Sequence, residues 1–269
     1  MRYLIPTLML IWSACGPATE EQGVTDPAER PVALPGPVIA PDGAPFRITA
    51  APEASQFPEA SLRLADLELT DDMEADFTMT VDGFELGSST PDAAVRGCAN
   101  SEDGQHIHVI LNNKPYLAKY EPTFSAPVDP GRNVLLAFLS RSYHESLKQG
   151  SSFVVKEFDV PSDSASSTSI LDGQHMFYSR PKGDYTNSSG DKVLLDFFLV
   201  GTSLAADANR VRATIDGHSF ILTEWRAYFI EGLEVGEHTV RLELIDRDGA
   251  LVPGPFNDSG IRTFKLLEG

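Results

Sequence analysis

One strand pattern occurs twice in this chain, and that duplication restricts the fold more than any other feature. His106-Ile-His-Val-Ile-Leu-Asn-Asn-Lys-Pro-Tyr116 aligns with Arg210-Val-Arg-Ala-Thr-Ile-Asp-Gly-His-Ser-Phe220, an offset of 104 residues. Pro130-Gly-Arg-Asn-Val-Leu-Leu-Ala-Phe-Leu139 aligns with Val235-Gly-Glu-His-Thr-Val-Arg-Leu-Glu-Leu244 at an offset of 105, and residues 153–160 correspond to the last apolar run, 261–267. These runs alternate apolar and polar residues, the period of a half-buried strand, and no segment sustains a helical stripe. Turn signals such as Asp82-Gly83 and Asp216-Gly217 punctuate them. Two copies of about 100 residues, each with about seven short strands, mean tandem immunoglobulin-like sandwiches and not a solenoid. The expected fold is all-β, with sandwiches at 46–160 and 172–269 joined by a Ser/Thr/Asp-rich linker at 161–171.

The segment before the repeat reads as an address and a tether. Arg2, the apolar run from Tyr3 to Trp12 and the small residues Ser13-Ala14 form a secretory signal, expected to span residues 1–14 and too short to cross a bilayer. Trp12-Ser13-Ala14-Cys15-Gly16 resembles a bacterial lipobox, with Trp12 where Leu is usual; the resemblance implies lipidation of Cys15 and a place in the cell envelope, in the outer membrane by the residue after the cysteine. Residues 15–45 carry prolines every few positions among acidic residues, and this composition predicts an extended tether.

Charge narrows the partners. A formal net charge of −18 repels phosphate backbones, which argues against nucleic acid, and leaves membrane attachment to the acyl chains. The second of the two cysteines, Cys98, has no disulfide partner once Cys15 is lipidated, and it is expected to pack as a small residue.

The best site candidate is His106-Ile107-His108. Residues i and i+2 of a strand share a face, so the two imidazoles stand side by side, a geometry that chelates zinc or copper. His144 is the candidate third ligand, with Glu145 or Asp103 to complete the sphere. The second copy places Arg210 and Arg212 at the paired-histidine positions, so a strand of half-buried, hydrogen-bonded histidines is the alternative. Tyr116, Tyr120, Trp225 and Tyr228 form a candidate platform for a protein or glycan, or else they are core. No nucleophile elbow, phosphate-cradling glycine loop or zinc-protease motif is present, so no catalytic residue is assigned.

The blocks 104–116, 136–146 (Leu-Ala-Phe-Leu-Ser-Arg-Ser-Tyr-His-Glu-Ser) and 177–183 (Phe-Tyr-Ser-Arg-Pro-Lys-Gly) resemble a family of uncharacterised bacterial envelope lipoproteins. The His-x-His block is also similar to a small periplasmic domain with a Gly-His-His-His-Leu strand, whose histidines map onto His106 and His108. Neither resemblance implies an established activity. The function expected is that of a membrane-anchored, non-catalytic binding module, with metal binding as the alternative. Remoter readings are hydrolysis and phosphopeptide binding; Ser140-Arg141-Ser142-Tyr143-His144 is similar to the forkhead-associated signature, but with its histidine one residue late.

Overall fold

The computed structural model describes residues 36–70, 72–162, 169–187 and 192–269. The signal, Cys15 and most of the tether lie outside these residues, as does 163–168 of the linker. Among the described residues, seventeen strands and one short 3₁₀ turn make up the regular structure. In chain order they are β1 (Val38–Ile39), β2 (Arg47–Ala50), β3 (Ser61–Leu69), β4 (Glu74–Asp82), β5 (His106–Leu111), β6 (Leu117–Lys119), β7 (Thr123–Pro127), β8 (Gly131–Ser140) and β9 (Phe153–Val160). The second half holds β10 (His175–Arg180), β11 (Gly183–Asn187), β12 (Val193–Val200), β13 (Arg210–Ile215), β14 (His218–Leu222), β15 (Tyr228–Glu231), β16 (Gly236–Ile245) and β17 (Arg262–Glu268).

The protein is all-β, and the sequence repeat is a structural repeat. One sheet of the first sandwich has the order β6-β5-β8-β9, and the corresponding part of the second runs β14-β13-β16-β17. Facing them are β3-β4-β7 in the first and β10-β12-β15-β2 in the second. Each sandwich encloses its own core. Leu62, Phe77, Ile107, Leu135 and Leu139 fill the first, and Phe197, Phe220, Tyr228, Leu242 and Phe264 the second.

The N-terminal boundary differs from the expected one. Val38–Ile39 pairs with Ile221 and Leu222, and Arg47–Ala50 pairs with β15, so residues 38–50 belong to the second sandwich and not to the tether or to a domain starting at 46. The first sandwich begins at β3. Extended, proline-rich chain is also what an edge strand needs, and β1 and β2 cover edges that β14 and β15 would otherwise leave open. Phe46 and Ile48 anchor this return by burying their side chains in the second core.

The two sandwiches also stack. Leu135, Ala137 and Leu139 of β8 point into the first core, while Val134, Leu136 and Phe138 point the other way. On β12, Leu195, Phe197 and Leu199 enter the second core and Phe198 leaves it. Phe138 and Phe198 stack with ring centroids 4.9 Å apart and planes 13° apart, and Phe177 lies 4.9 Å from Phe256. A third apolar layer therefore joins β6-β5-β8-β9 to β10-β12-β15-β2, with each fully buried Phe contributing about 2–3 kcal/mol on transfer. This explains why β5, β8 and β12 are buried on both faces.

Candidate metal centre

β5 carries the site because it lies between two apolar layers. Ile107, Val109 and Leu111 face the first core, which turns His106 and His108 toward the second sandwich, both fully buried. They are not at the surface, and His108 is not half-buried: it packs face to face on Tyr116 at 3.8 Å and 14°. His144 arrives from the turn after β8. That turn is closed by the Arg141 N–H donating to Glu145 O at 3.0 Å and the His144 N–H to Arg141 O at 2.8 Å.

The three rings converge. His106 Nε2 is 2.9 Å from His108 Nε2 and 3.1 Å from His144 Nδ1, and one ring nitrogen from each residue lies within 4.8 Å of the others. The His106 Nδ1–H donates to Gly104 O at 2.8 Å, which leaves its Nε2 lone pair aimed at the other two rings. His108 Nδ1 is 3.3 Å from Ser179 Oγ, so an Nδ1–H donated there turns a second lone pair toward the first. Two facing lone pairs need a proton or a cation between them. A tetrahedral ion with bonds of about 2.0–2.1 Å holds its nitrogens about 3.3 Å apart, so the two pairs that include His106 would open slightly while the His108–His144 pair, within 4.8 Å, would close.

Electrostatics keep the rings neutral, as metal ligation requires. Burial pushes His106 down to about 4, against the hydrogen bond to Gly104 and with help from the Arg180 charge. Burial also holds His144 and His108 well below the usual imidazole range, and Arg180, Lys182 and the neighbouring histidines add to it. Gly104 is fixed in turn: its φ is +82°, and a Cβ there would sit 2.3 Å from Gly87 O.

The second copy provides an internal control. Its turn has the same bonds, Asp246 N–H to Ala250 O at 2.9 Å and Gly249 N–H to Asp246 O at 3.1 Å, and Gly249, at φ +85°, stands where His144 stands at φ +68°. Arg210 and Arg212 replace His106 and His108. Arg210 Nη2 donates to Asp246 O and Arg247 O at 2.9 and 2.7 Å, and Arg212 Nη2 to Gly249 O at 2.7 Å. Arginines thus tie the turn to the strand in one copy. In the other, three acceptor-bearing rings face one another, and the histidine holds a left-handed backbone that costs a non-glycine residue about 1 kcal/mol or more.

Other expected ligands are elsewhere. Glu145 is held by Arg96 Nη2 at 2.6 Å and Arg141 Nη1 at 3.5 Å, and Asp103 is exposed, so neither completes the sphere. The four aromatics make no shared platform. Tyr116 is buried against His108, and Tyr120 lies beside His106 with its hydroxyl 2.7 Å from Ser101 Oγ. Trp225 packs edge-on to Phe198, and Tyr228 is fully buried with its hydroxyl donating to Glu224 O. Cys98 packs beside Ala51, Leu194, Ala227 and Phe229. Reasoning from single strands missed Ser179, Arg180 and Lys182, which come from the second sandwich; their only signal was a Ser-Arg-Pro-Lys loop with no partner in view.

No family model matches the chain, and no curated protein matches it. Among solved structures it is similar to the fibronectin(III)-like modules of Clostridium thermocellum CbhA, at 14% identity over 82% of this chain and 94% of that one, with a TM-score of 0.25. The central fibronectin-III array of RIM-binding protein gives 8% identity, 81% and 72% coverage and a TM-score of 0.24. A Bacteroides ovatus glucan-utilisation protein, SGBP-B, in complex with a mixed-linkage heptasaccharide, gives 10%, 83%, 70% and 0.22. These are likenesses of sandwich type and carry no functional argument.

Proposed function

We propose that this chain is a lipid-anchored protein of the bacterial envelope whose folded part is a non-catalytic binding module, built around a three-histidine centre for zinc or copper(II). The carrying observation is the convergence of ring nitrogens of His106, His108 and His144 at the junction of the sandwiches, with the His106 Nε2 lone pair turned toward the other two rings. Imidazole suits both metals, and the fourth position of a tetrahedral ion falls to a ligand outside the described histidine set. Anchoring rests on the signal and on Cys15, and the wider role, holding a protein or glycan partner, on the tandem sandwiches and the lack of catalytic motifs.

Burial favours a structural ion over a hydrolytic one. His106 and His108 are inaccessible, and the half-buried Glu145, the carboxylate next to His144 in sequence, is engaged by two arginines and is not placed to act as a general base. A metal there would link β5 and the β8 turn beside Ser179 of β10, and so stiffen the junction.

Metal analysis and calorimetry of the purified protein with zinc and with copper(II) test this. One ion per chain is expected for wild type and for His218→Ala, and none at comparable affinity for His106→Ala or His108→Ala. Equal binding by all four proteins would overturn the reading.

A further inference from the structure

Most basic side chains here meet a carboxylate: Arg96, Arg132, Arg141, Lys148, Arg212 and Arg241 all do. Arg180, Lys182 and Arg262 do not. Among the described residues no Asp or Glu lies within ion-pair distance of them, although the chain carries a net charge of −18. They bond neutral oxygens only. Arg180 Nη1 donates to the Tyr185 hydroxyl at 2.9 Å, Lys182 Nζ to Tyr116 O at 2.7 Å, and Arg262 Nη2 to Asn113 O at 2.8 Å. The Nε atoms of Arg180 and Arg262 are buried without an acceptor, and Arg180 as a whole is only 6% exposed.

Three cations therefore gather over the rings of Tyr116, Tyr178 and Tyr185 with no counter-charge among the described residues. Arg180 is buried, whereas Lys182 is exposed and Arg262 half-buried, so these two keep charge that a ligand can reach. Burial and the Arg180 charge together hold the Lys182 ammonium below its usual range, as expected for charges of one sign held close. Beside them opens a cleft of about 290 Å³ whose lining combines the cations Lys182 and Arg262 with the apolar groups Pro115, Pro181 and Ile261, the Tyr178 ring and the hydroxyls of Ser179 and Thr263. Ile261 is 71% exposed, an apolar group left at the rim. Cations with donors to spare next to an apolar wall suit an amphipathic anion better than a bare one.

We infer that this cleft binds an organic carboxylate with an apolar body, its carboxylate between Lys182 and Arg262 and its body against Pro181 and Ile261. The site adjoins the histidine centre through Ser179 and Tyr116, but its charge recognition does not depend on a metal.

Calorimetry of the purified protein with sodium benzoate, in EDTA and at constant ionic strength, tests it. Saturable binding at one site is expected, weakened about tenfold or more by Lys182→Gln and by Arg262→Gln. Lys265→Gln, on the same strand at an exposed position, is expected to bind as wild type. An acetylated tripeptide ending in phenylalanine, with a free or an amidated C-terminus, separates the two sources of such a carboxylate. Tighter binding than benzoate that is lost on amidation identifies a peptide end, and binding equal to or weaker than benzoate identifies a small acid. No saturable binding, binding that the two glutamine variants leave unchanged, or inorganic sulfate binding as well as benzoate would each overturn the inference. Because EDTA is present throughout, failure here leaves the metal reading standing, and failure of the metal reading leaves this one.

Discussion

Truncating Phe198 to alanine tests the stacked architecture. The ring leaves β12 on the side away from the second core and packs on Phe138 at 4.9 Å, Phe153 at 4.9 Å and Trp225 at 5.0 Å. Phe197 and Leu199, its neighbours on the strand, stay in the second core, so the variant empties the junction and leaves both sandwiches filled. A buried Phe→Ala change costs about 3–5 kcal/mol, and the stacked pair with Phe138 should account for about 0.5–1.5 kcal/mol of that as coupling in a double-mutant cycle. Trp225 sits at the junction, and the other tryptophan, Trp12, lies in the segment expected to be a signal. In wild type without residues 1–14, urea curves from Trp225 fluorescence and from far-UV circular dichroism should coincide. In Phe198→Ala the fluorescence curve should move to lower urea ahead of the dichroism curve, as the junction opens before the sandwiches unfold. A loss below about 1 kcal/mol with coincident curves would mean that the sandwiches are independent, and the stacking argument would fail.

Three further outcomes follow from the same geometry. Metal-free protein should lose stability in acid: the folded value of His106, about 4, lies below the unfolded 6.5, so the unfolded chain takes up a proton that the folded one refuses as pH falls between them. That difference amounts to about 3 kcal/mol for His106 alone, present in full above pH 6.5 and gone near pH 4, and chelated wild type compared with His106→Gln by urea midpoint measures it. His144→Gly should remove zinc stabilisation, about 3 kcal/mol at a hundredfold excess over the dissociation constant, yet relieve a left-handed backbone; thermal melts with and without zinc should converge for the variant and separate for wild type. Gly104→Ala should destabilise by more than 1 kcal/mol and weaken metal binding, since a Cβ would displace the carbonyl that orients His106; unchanged melts and metal affinity would contradict this.

Several of these features were legible in the residues. The offset of the two copies places His106 over Arg210, and the structure pairs β5 and β13 with matching neighbours. The period of β5 puts His106 and His108 on one face. His144 was a candidate because of its position in the turn, which is where the ring now meets them. The boundary at the N-terminus was not legible, since a proline-rich extended run looks the same whether it hangs free or closes an edge. The platform of four aromatics failed for a related reason: an aromatic after a strand has the same local pattern in a core as at a surface, and only the packing that buries Tyr116 and Tyr228 distinguishes them.

By itself the sequence determined local periodicity, and therefore which residues share a face, where the chain turns, and that one β unit was copied. Only the tertiary structure decided which faces meet. Period two assigns Phe198 and His108 to the outer sides of their sheets but is silent on whether water or another sheet lies beyond. That depends on free energies summed over Phe138, Phe177, Phe198 and Phe256, which are distant in the chain. The stacking that buries them also brings Ser179 to His108 and sets the Lys182–Arg262 cleft beside it. Both sites proposed here are products of that long-range packing.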